Sequence, residues 1–251
     1  MKNVVNSKLR FLEEIAANGH VALDSIQYDG WILRFSNGYT NRANSVSVLY
    51  PSLKALDEKI DYCERMYKKQ GLPTVFKLTE ADTEINDKLL DMGYETVTPT
   101  DVMEISLDEP ENFDEEDFEF VFSSEPTEWL PDYFELEEID NEKDRETFRS
   151  MLSKVKIEPV YGSLVIEGKV AACASIAIDR GYALLQNVVV SKEVRGKGLG
   201  KKICQAMIQK AKEQGAYHVF LQVVQSNEVA MNLYKRLGFK KLYTYWYMRR
   251  A

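Results

Sequence analysis

The sequence predicts an α/β (α+β) fold whose mixed, mostly antiparallel sheet is flanked by helices. Residues 160–190 hold three apolar runs separated by Glu167-Gly168 and Arg180-Gly181, and such turn pairs are typical of an antiparallel meander. Beyond residue 190 come a glycine-containing loop, a helical pattern, an apolar strand, a second helical pattern and a last strand. This order is typical of an α/β unit.

Each element has a local signal. In the first half, helical patterns cover about residues 54–69 and 82–92, and the apolar run at Met103, Ile105 and Leu107 predicts a strand. In the second half, apolar residues recur every four positions over 199–214 until Gly215 ends the helix. The other predicted elements are a short helix over 142–154, a strand over 216–224, a helix over 227–237 that ends at Gly238, and a final strand or hairpin over 239–250.

The two halves resemble each other weakly. A shift of 144 positions lays QGAYHVFL (214–221) on QGLPTVFK (70–77), and a shift of 145 lays YKRLGF (234–239) on LLDMGY (89–94). A helical pattern precedes each matched segment in both halves. The sequence therefore predicts an internal structural repeat.

Charge is distributed unevenly along a chain whose net charge is −8. Residues 108–146 carry 18 acidic and 2 basic side chains, whereas residues 191–251 carry 13 basic and 3 acidic ones. The acidic run DEPENFDEEDFEF (108–120) predicts a solvated connector between two domains. The basic C-terminal quarter suits a local polyanion, but the overall balance argues against nucleic-acid binding.

Several site and protein classes are disfavoured by composition. The three cysteines are far apart and odd in number, and the two histidines lie in unrelated surroundings, so we predict buried free thiols, structural histidines and no metal site. No apolar run is long enough to span a membrane, and the first residues do not resemble a signal peptide. We expect a cytoplasmic protein without a membrane partner.

The segment VRGKGLGKKI (194–203) is the strongest candidate for function. Glycines before a helix let another group approach the backbone, where unpaired N–H groups and the helix dipole favour an anion. The run fits neither the dinucleotide-binding nor the P-loop pattern. Taken alone, a phosphate-binding loop and a plain basic turn both remain open.

A second motif follows at a fixed distance. Arg195-x-x-Gly198-x-Gly200 comes after an apolar strand, and NEVAMNLYKRLGF (227–239) follows one strand later. Together they resemble the signatures of the GNAT superfamily of acyl-CoA-dependent N-acetyltransferases, over about residues 160–250. The resemblance implies a GNAT-type sheet, acetyl-CoA as cosubstrate, and three regions: a degenerate GNAT-like lobe over 1–107, an acidic linker over 108–117 and a catalytic domain over 118–251.

The resemblance also implies roles for individual residues. The pyrophosphate of coenzyme A would lie on the backbone N–H groups of Arg195 through Lys201. The pantetheine arm would lie along the preceding strand, and both would be flanked by the second motif. The coenzyme-binding residues expected on this basis are Val188, Val189, Val190, Arg195, Gly196, Lys197, Gly198, Leu199, Gly200, Lys201, Asn227 and Ala230. Tyr234 is expected to be catalytic, because a phenol can hydrogen-bond or protonate the departing thiolate.

Other positions are less determined. For the base, Glu193 and Glu158 are candidates, although ordinary surface charge is favoured for both. Gln186 and Asn187 are expected beside the thioester, where they could orient water or the acceptor, but they cannot usefully accept a proton. Two further groups of residues could either recognise the acceptor or have structural roles, and the structural roles are favoured. They are Trp31, Arg34, Arg42 and Asn44 in the first half, and Trp129 with Tyr133 after the acidic run.

The N-terminal half lacks the motif residues. Pro51, Lys54 and Leu56 correspond to the loop positions and Leu89 corresponds to Tyr234, so we predict one active centre. The predicted function is transfer of an acetyl group from acetyl-CoA to a primary amine, of a small molecule or a protein, by direct attack in a ternary complex. A non-catalytic acyl-CoA sensor is the alternative. An internal repeat makes a monomer plausible.

Overall fold

The computed structural model describes residues 2–108 and 118–250. These residues form two compact units, one of residues 1–101 with 243–251 and the other of residues 102–242. The division differs from the predicted boundaries, because residues 102–107 fall in the second unit and residues 243–251 in the first. The predicted acidic linker lies outside the described residues except for Asp108. The assignment of lobes and linker therefore stays a prediction.

The first unit packs helices on a mixed sheet. Its strands run in the order β1-β2-β3-β4-β11; β3 and β4 are parallel and the other neighbours antiparallel. Its core is an aromatic and aliphatic cluster around Trp31, Tyr67 and Phe76. The elements are α1 (Lys2–Gly19), β1 (Asp24–Tyr28), β2 (Trp31–Phe35), β3 (Val46–Val48), α2 (Leu56–Lys69), β4 (Val75–Thr79), α3 (Thr83–Asp91), most of β5 (Glu95–Ser106), and β11 (Lys240–Arg249) from Tyr243 onward.

The second unit contains the predicted meander. Strands β6 to β9 pair antiparallel in chain order, and β10 pairs parallel with β9. The turns at Glu167-Gly168 and Arg180-Gly181 all have positive φ, as tight hairpins require. The elements are β6 (Glu119–Ser123), α4 (Trp129–Leu136), α5 (Glu142–Ser153), β7 (Glu158–Ile166), β8 (Lys169–Asp179), β9 (Tyr182–Val190), α6 (Leu199–Glu213), β10 (His218–Val224) and α7 (Glu228–Arg236).

The predicted fold class is confirmed, and so is the repeated order of elements. Each unit contains two parallel strands joined by a crossover helix and followed by a second helix: β3-α2-β4-α3 in the first unit and β9-α6-β10-α7 in the second. A shift of 145 positions lays α3 on α7 residue for residue. Within the described residues, no helix is both long and apolar enough to cross a membrane.

Helix α6 covers one face of the second sheet. Its apolar side, with Ile203, Met207 and Ala211, joins the core cluster together with alternate residues of the strands. Helix α4 packs on the other face, where the Trp129 indole donates to the carbonyl of Gly162 and stacks on Tyr133 with ring centroids 4.5 Å apart. This packing agrees with the structural role favoured for the Trp129–Tyr133 pair.

The cysteines behave as expected from their spacing. All three thiols are free and buried, and burial raises the pKa of each to about 12: Cys63, Cys173 and Cys204. The two histidines are held by local contacts. His20 lies 3.4 Å from the Thr40 hydroxyl, and His218 stacks on Tyr182.

Candidate active site

The central feature of the second unit is a gap between two parallel strands. Strands β9 and β10 pair only from Tyr182 to Leu185 and from His218 to Leu221. Both strands continue beyond the last pair, β9 to Val190 and β10 to Val224. Their C-terminal halves therefore have backbone edges that do not pair with each other.

The backbone of β9 faces this gap at the predicted positions. The N–H of Ser191 donates to the carbonyl of Ala171, on the β8 side. Because backbone groups alternate in direction along a strand, Val188 and Val190 direct their N–H and C=O groups away from β8. Val189, also expected at the coenzyme, is buried. The strand edge can thus hydrogen-bond an extended amide-containing arm through Val188 and Val190.

The glycine loop joins the end of β9 to α6. Gly196 and Gly198 have φ of 80° and 79°, a region that only glycine enters without strain, and Gly198 is the residue before the helix. Its carbonyl accepts the N–H groups of Lys201 and Lys202, so the Lys201 N–H, which was expected at the diphosphate, is already used in the first turn of the helix. Within the described part of the chain, the backbone N–H groups of residues 195–200 donate to no protein acceptor. These donors lie at the positive end of a 15-residue helix, where an anion is favoured.

Gly200 has a different role from the other two glycines. A Cβ placed there would lie 3.4 Å from Leu233 Cδ2 and 3.6 Å from Val190 Cγ2. The start of α6 therefore packs closely on both the end of β9 and helix α7. The residue before Gly200, Leu199, is 4% exposed and anchors the helix start in the core.

The cationic side chains of the loop lie on the surface. Arg195 is exposed, and its Nε donates to the Val190 carbonyl at 3.1 Å, which ties the loop back to the strand end. Lys197 is exposed and Lys201 is half-buried. Lys192 forms an ion pair with Glu138 at 2.5 Å. Side chains with exposed cationic ends can move to an anion without breaking buried contacts.

Helix α7 carries the second motif. Asn227 precedes the helix and its Oδ1 accepts the N–H of Ala230 at 3.1 Å, which makes it the N-cap. Hydrogen bonding of Asn227 to a ligand would therefore use its amide nitrogen. Ala230 is half-buried and packs against the core cluster. The small side chain keeps this helix face low beside Tyr234, one turn further along.

Tyr234 is buried, with 8% of its surface exposed. Its ring packs edge-on against Phe239, with centroids 5.9 Å apart. Burial, with a smaller effect of the nearby Cys204, raises the pKa of the Tyr234 phenol well above its usual value. Within the described residues the hydroxyl makes no hydrogen bond. The phenol therefore stays protonated at neutral pH and keeps its donor for a ligand.

The carboxylates suggested as bases are exposed, unlike the buried Tyr234 phenol. Glu193 and Glu158 are both exposed, as their interpretation as surface charge implies. Asp132 on α4, which the sequence did not single out, is half-buried. Burial, followed by the charge of Glu135, raises the pKa of Asp132. A raised carboxyl pKa brings proton exchange closer to neutral pH.

The sequence predicted Gln186 and Asn187 beside the gap, but sequence reasoning missed the contact of Asn187 with Ser175. Asn187 has φ of 57°, its Nδ2 donates to the Ser175 hydroxyl at 2.8 Å, and the Tyr133 hydroxyl lies 3.5 Å from its Oδ1. Gln186, its neighbour, is 9% exposed. The signal in the sequence is the Gln-Asn pair that interrupts the apolar run LLQNVVV. A turn-forming residue in the middle of a strand indicates a bulge.

The corresponding place in the first unit is filled by protein. Strands β3 and β4 pair only at Val46–Phe76 and Ser47–Lys77. Beyond these two residue pairs, the Arg10 guanidinium from α1 donates to the Val48 carbonyl and forms an ion pair with Asp82 at 2.6 Å. Asp82 precedes α3 as Asn227 precedes α7. An arginine side chain thus occupies the counterpart of the gap.

The residues of the first unit that were left open between acceptor recognition and a structural role make contacts within that unit. Trp31 is 2% exposed and packs edge-on against Phe76. The side-chain oxygen of Asn44 accepts the N–H groups of Ser36 and Gly38, and its nitrogen donates to two carbonyls of the same loop. Arg34 donates to the carbonyls of residues 42 and 20. Arg42 is half-buried; burial acts to lower the pKa of its guanidinium, but the nearby Tyr245 and Tyr247 raise this pKa overall.

Solved structures share this architecture over most of the chain, and two examples follow. A GCN5-related N-acetyltransferase from Kribbella flavida superposes with a TM-score of 0.71 over 96% of this chain and 95% of that one, at 14% identity. A tandem GNAT protein from the clavulanic acid biosynthesis pathway superposes with a TM-score of 0.66 over 81% of this chain and 74% of that one, at 15% identity. At these identities the likeness shows the fold alone.

Sequence comparison adds the family. An uncharacterized N-acetyltransferase, YobR of Bacillus subtilis, is 28% identical over 244 residues, which are 95% of this chain and 97% of YobR. N-alpha-acetyltransferase 30 of Schizosaccharomyces pombe is 41% identical over 70 residues, 27% of this chain and 45% of that protein. Residues 6–248 match the family model described as "Probable histone acetyltransferase Rv0428c C-terminal". The chain therefore belongs to this family and is an N-acetyltransferase of the GNAT superfamily.

Proposed function

We propose that the protein transfers an acetyl group from acetyl-CoA to a primary amine, by direct attack in a ternary complex. One observation carries this proposal. The gap between β9 and β10, the N–H groups of residues 195–200 and the Tyr234 hydroxyl all belong to elements that pack together through Gly200. That arrangement suits a ligand with a diphosphate at one end, an amide-containing arm in the middle and a reactive thioester at the other end.

The binding roles follow from the geometry. The loop N–H groups bind the diphosphate, with Arg195, Lys197 and Lys201 supplying countercharge. The backbone of Val188 and Val190 hydrogen-bonds the amides of the arm along the open edge of β9. The amide nitrogen of Asn227 donates to the same arm from the start of α7, and Ala230 leaves room for it.

The chemical roles are fewer. The neutral amine forms a bond to the acetyl carbon, the carbon–sulfur bond breaks, and sulfur leaves as a thiolate while the amine loses a proton to solvent. Tyr234 donates a hydrogen bond to that thiolate. Because burial raises the pKa of Tyr234, the phenol is a hydrogen-bond donor throughout the neutral range rather than a strong acid. Its contribution is stabilisation of the leaving group.

The acceptor is a primary amine of a small molecule or of a protein. The acidic residues 108–146 favour a cationic amine through long-range attraction. A monomer is the oligomeric state that we propose, because the repeat supplies two lobes within one chain. We propose neither a nucleic acid nor a membrane as partner.

Calorimetric titration with acetyl-CoA, ATP and generic duplex DNA tests the proposal. We expect saturable binding of acetyl-CoA at one site per chain, much weaker binding of ATP and none of DNA. Equal binding of acetyl-CoA and ATP, or no binding, would contradict the proposal. After a screen of amines for CoA release has found an acceptor, Tyr234→Phe should lower turnover and leave acetyl-CoA affinity unchanged. Unchanged turnover in that variant would remove Tyr234 from the chemistry.

A further inference from the structure

A carboxylate lies on the loop that leads into helix α2. This loop consists of residues 49–55, between β3 and α2. The N–H of Leu53 donates to both carboxylate oxygens of Asp29, at 3.0 and 3.1 Å, and the N–H of Lys54 donates to Oδ2 at 3.0 Å. These hydrogen bonds lower the pKa of Asp29, so the group is an anion at neutral pH. The loop therefore binds a negative charge at the positive end of a 14-residue helix.

The carboxylate occupies the counterpart of the anion loop of the second unit. At the shift of 144 positions, Leu53 and Lys54 correspond to Lys197 and Gly198. The N–H groups of Lys197 and Gly198 donate to no acceptor within the described part of the protein. In the first unit, Asp29 accepts the N–H groups at the same two positions. The two loops therefore differ in whether the protein itself supplies the anion.

Asp29 comes from a hairpin turn that is packed against the loop. Asp29 and Gly30 connect β1 to β2, and a Cβ on Gly30 would lie 2.5 Å from the carbonyl oxygen of Tyr50. The Gly30 carbonyl accepts the N–H of Tyr50 at 3.0 Å. The corresponding turn of the second unit is Glu167-Gly168, where Glu167 is exposed and a Cβ on Gly168 would meet no atom within 4 Å. Close packing of the turn thus fixes Asp29 over the loop in the first unit.

A buried lysine completes the charge balance. The Nζ of Lys59 lies 3.2 Å from Oδ2 of Asp29, and the Lys59 side chain has no exposed surface. The same ammonium donates to the carbonyl of Asp29 and to the hydroxyl of Ser52, and it lies 4.0 Å from the centroid of the Trp31 ring. A buried ammonium needs a nearby anion, because removal of one partner of a buried pair leaves an unpaired charge. Asp29 supplies that anion.

We propose that Asp29 is a built-in anion that closes the diphosphate position of the first unit. Its carboxylate takes the loop N–H groups and the Lys59 ammonium, while Arg10 fills the neighbouring gap between β3 and β4. The first unit is thus a coenzyme-binding arrangement occupied by its own side chains. The inference rests on the proposed function, because the position is named after the diphosphate that we assign to the second unit. It predicts that loss of Asp29 opens a site for inorganic phosphate.

Three variants test this role. Asp29→Gly removes the carboxylate and allows positive φ, which this position requires at φ of 46°. Asp29→Asn removes the charge but still fills the position, and Asn also tolerates positive φ. Glu58→Ala is the matched control, because it removes an exposed carboxylate that pairs with Lys54 beside the same loop. The unfolding constant of each protein is measured by urea denaturation at increasing phosphate, with sodium chloride at equal ionic strength as the reference.

We expect phosphate to stabilise Asp29→Gly more than the parent. For a site that exists only in the folded state, the unfolding constant falls about tenfold for each tenfold rise in phosphate above its dissociation constant. This extra response should be absent in Asp29→Asn and in Glu58→Ala. Phosphate bound by the second unit contributes equally to all four proteins and cancels in the comparison. Equal phosphate responses of Asp29→Gly and the parent would overturn the inference, as would an extra response of the same size in either of the other variants.

Failure of the proposed function gives a different result. If the parent does not bind acetyl-CoA while Asp29→Gly responds to phosphate, the proposed function fails and Asp29 is still a built-in anion. If Asp29→Gly does not fold, Asp29→Asn and Lys59→Met decide. The loss of stability in their double variant should be smaller than the sum of the two single losses, because both changes break the same ion pair. Additive losses would overturn the inference.

Discussion

Replacement of Gly198 by alanine tests the anion loop directly. Gly198 has φ of 79° and ψ of 0°, and a Cβ added there meets no atom within 4 Å. The substitution therefore introduces no steric clash with neighbours, and its whole cost is the backbone conformation. That cost is about 1–2 kcal/mol for a residue with a Cβ in the left-handed region.

The backbone cost of Gly198→Ala can be measured either as lost stability or as lost acetyl-CoA affinity. If the loop keeps its conformation, the free energy of unfolding falls by about 1–2 kcal/mol. If the loop relaxes instead, its N–H groups no longer converge, and acetyl-CoA affinity falls by about 5- to 30-fold. Thermal unfolding and calorimetric titration of Gly198→Ala together recover the full cost. Gly198→Asn should lose less in both, because Asn tolerates positive φ better.

Gly200→Ala is the matched control, two residues away. Gly200 has no positive φ, and a Cβ there would make ordinary contacts at 3.4 Å with Leu233 and 3.6 Å with Val190. Alanine also favours the helix that begins here by up to about 1 kcal/mol. We expect equal or higher stability. The reasoning is refuted if Gly198→Ala matches the parent in both stability and affinity, or if Gly200→Ala is the more destabilising of the two.

Three further predictions concern stability. Asn227→Ala should lower the free energy of unfolding by about 1 kcal/mol through loss of the α7 cap, whereas Asn227→Ser should not; urea denaturation measures both. Lys77→Met should cost about 3–5 kcal/mol, because it leaves Glu13, 2.5 Å away and 4% exposed, as an unpaired buried charge. The double variant Lys77→Met with Glu13→Leu should lose much less free energy of unfolding than Lys77→Met alone. A loss equal to the sum of the two single losses would contradict this explanation. Burial raises the pKa of Tyr161 to about 12, so the unfolded chain releases this phenol proton near pH 10 while the native state keeps it. Stability should therefore fall between pH 10 and 12, and Tyr161→Phe should make that fall less steep in denaturation at successive pH values.

Local signals made most of the elements predictable. The meander follows from the turn pairs at 167–168 and 180–181, where positive φ is required. The helices α2, α3, α5, α6 and α7 follow from periodicity and from the residues that end them. In the first half, α1 and β1 to β4 were not predicted as elements. Strand β6 and helix α4 were also not predicted, because the acidic residues around them mask the apolar pattern. The glycine loop was readable because its residues are contiguous.

The sequence alone determined the order of elements from α5 onward, the resemblance to the family and which residues are candidates for the site. It could do so because turns, helix ends and motif spacing depend on neighbours in the chain. Only the tertiary structure decided where β9 and β10 stop pairing, how the bulge at Asn187 turns Val188 and Val190 toward the core, and that Arg10 fills the counterpart gap of the first unit. These features join residues far apart in the chain, through strand register and burial, and no local pattern encodes such contacts.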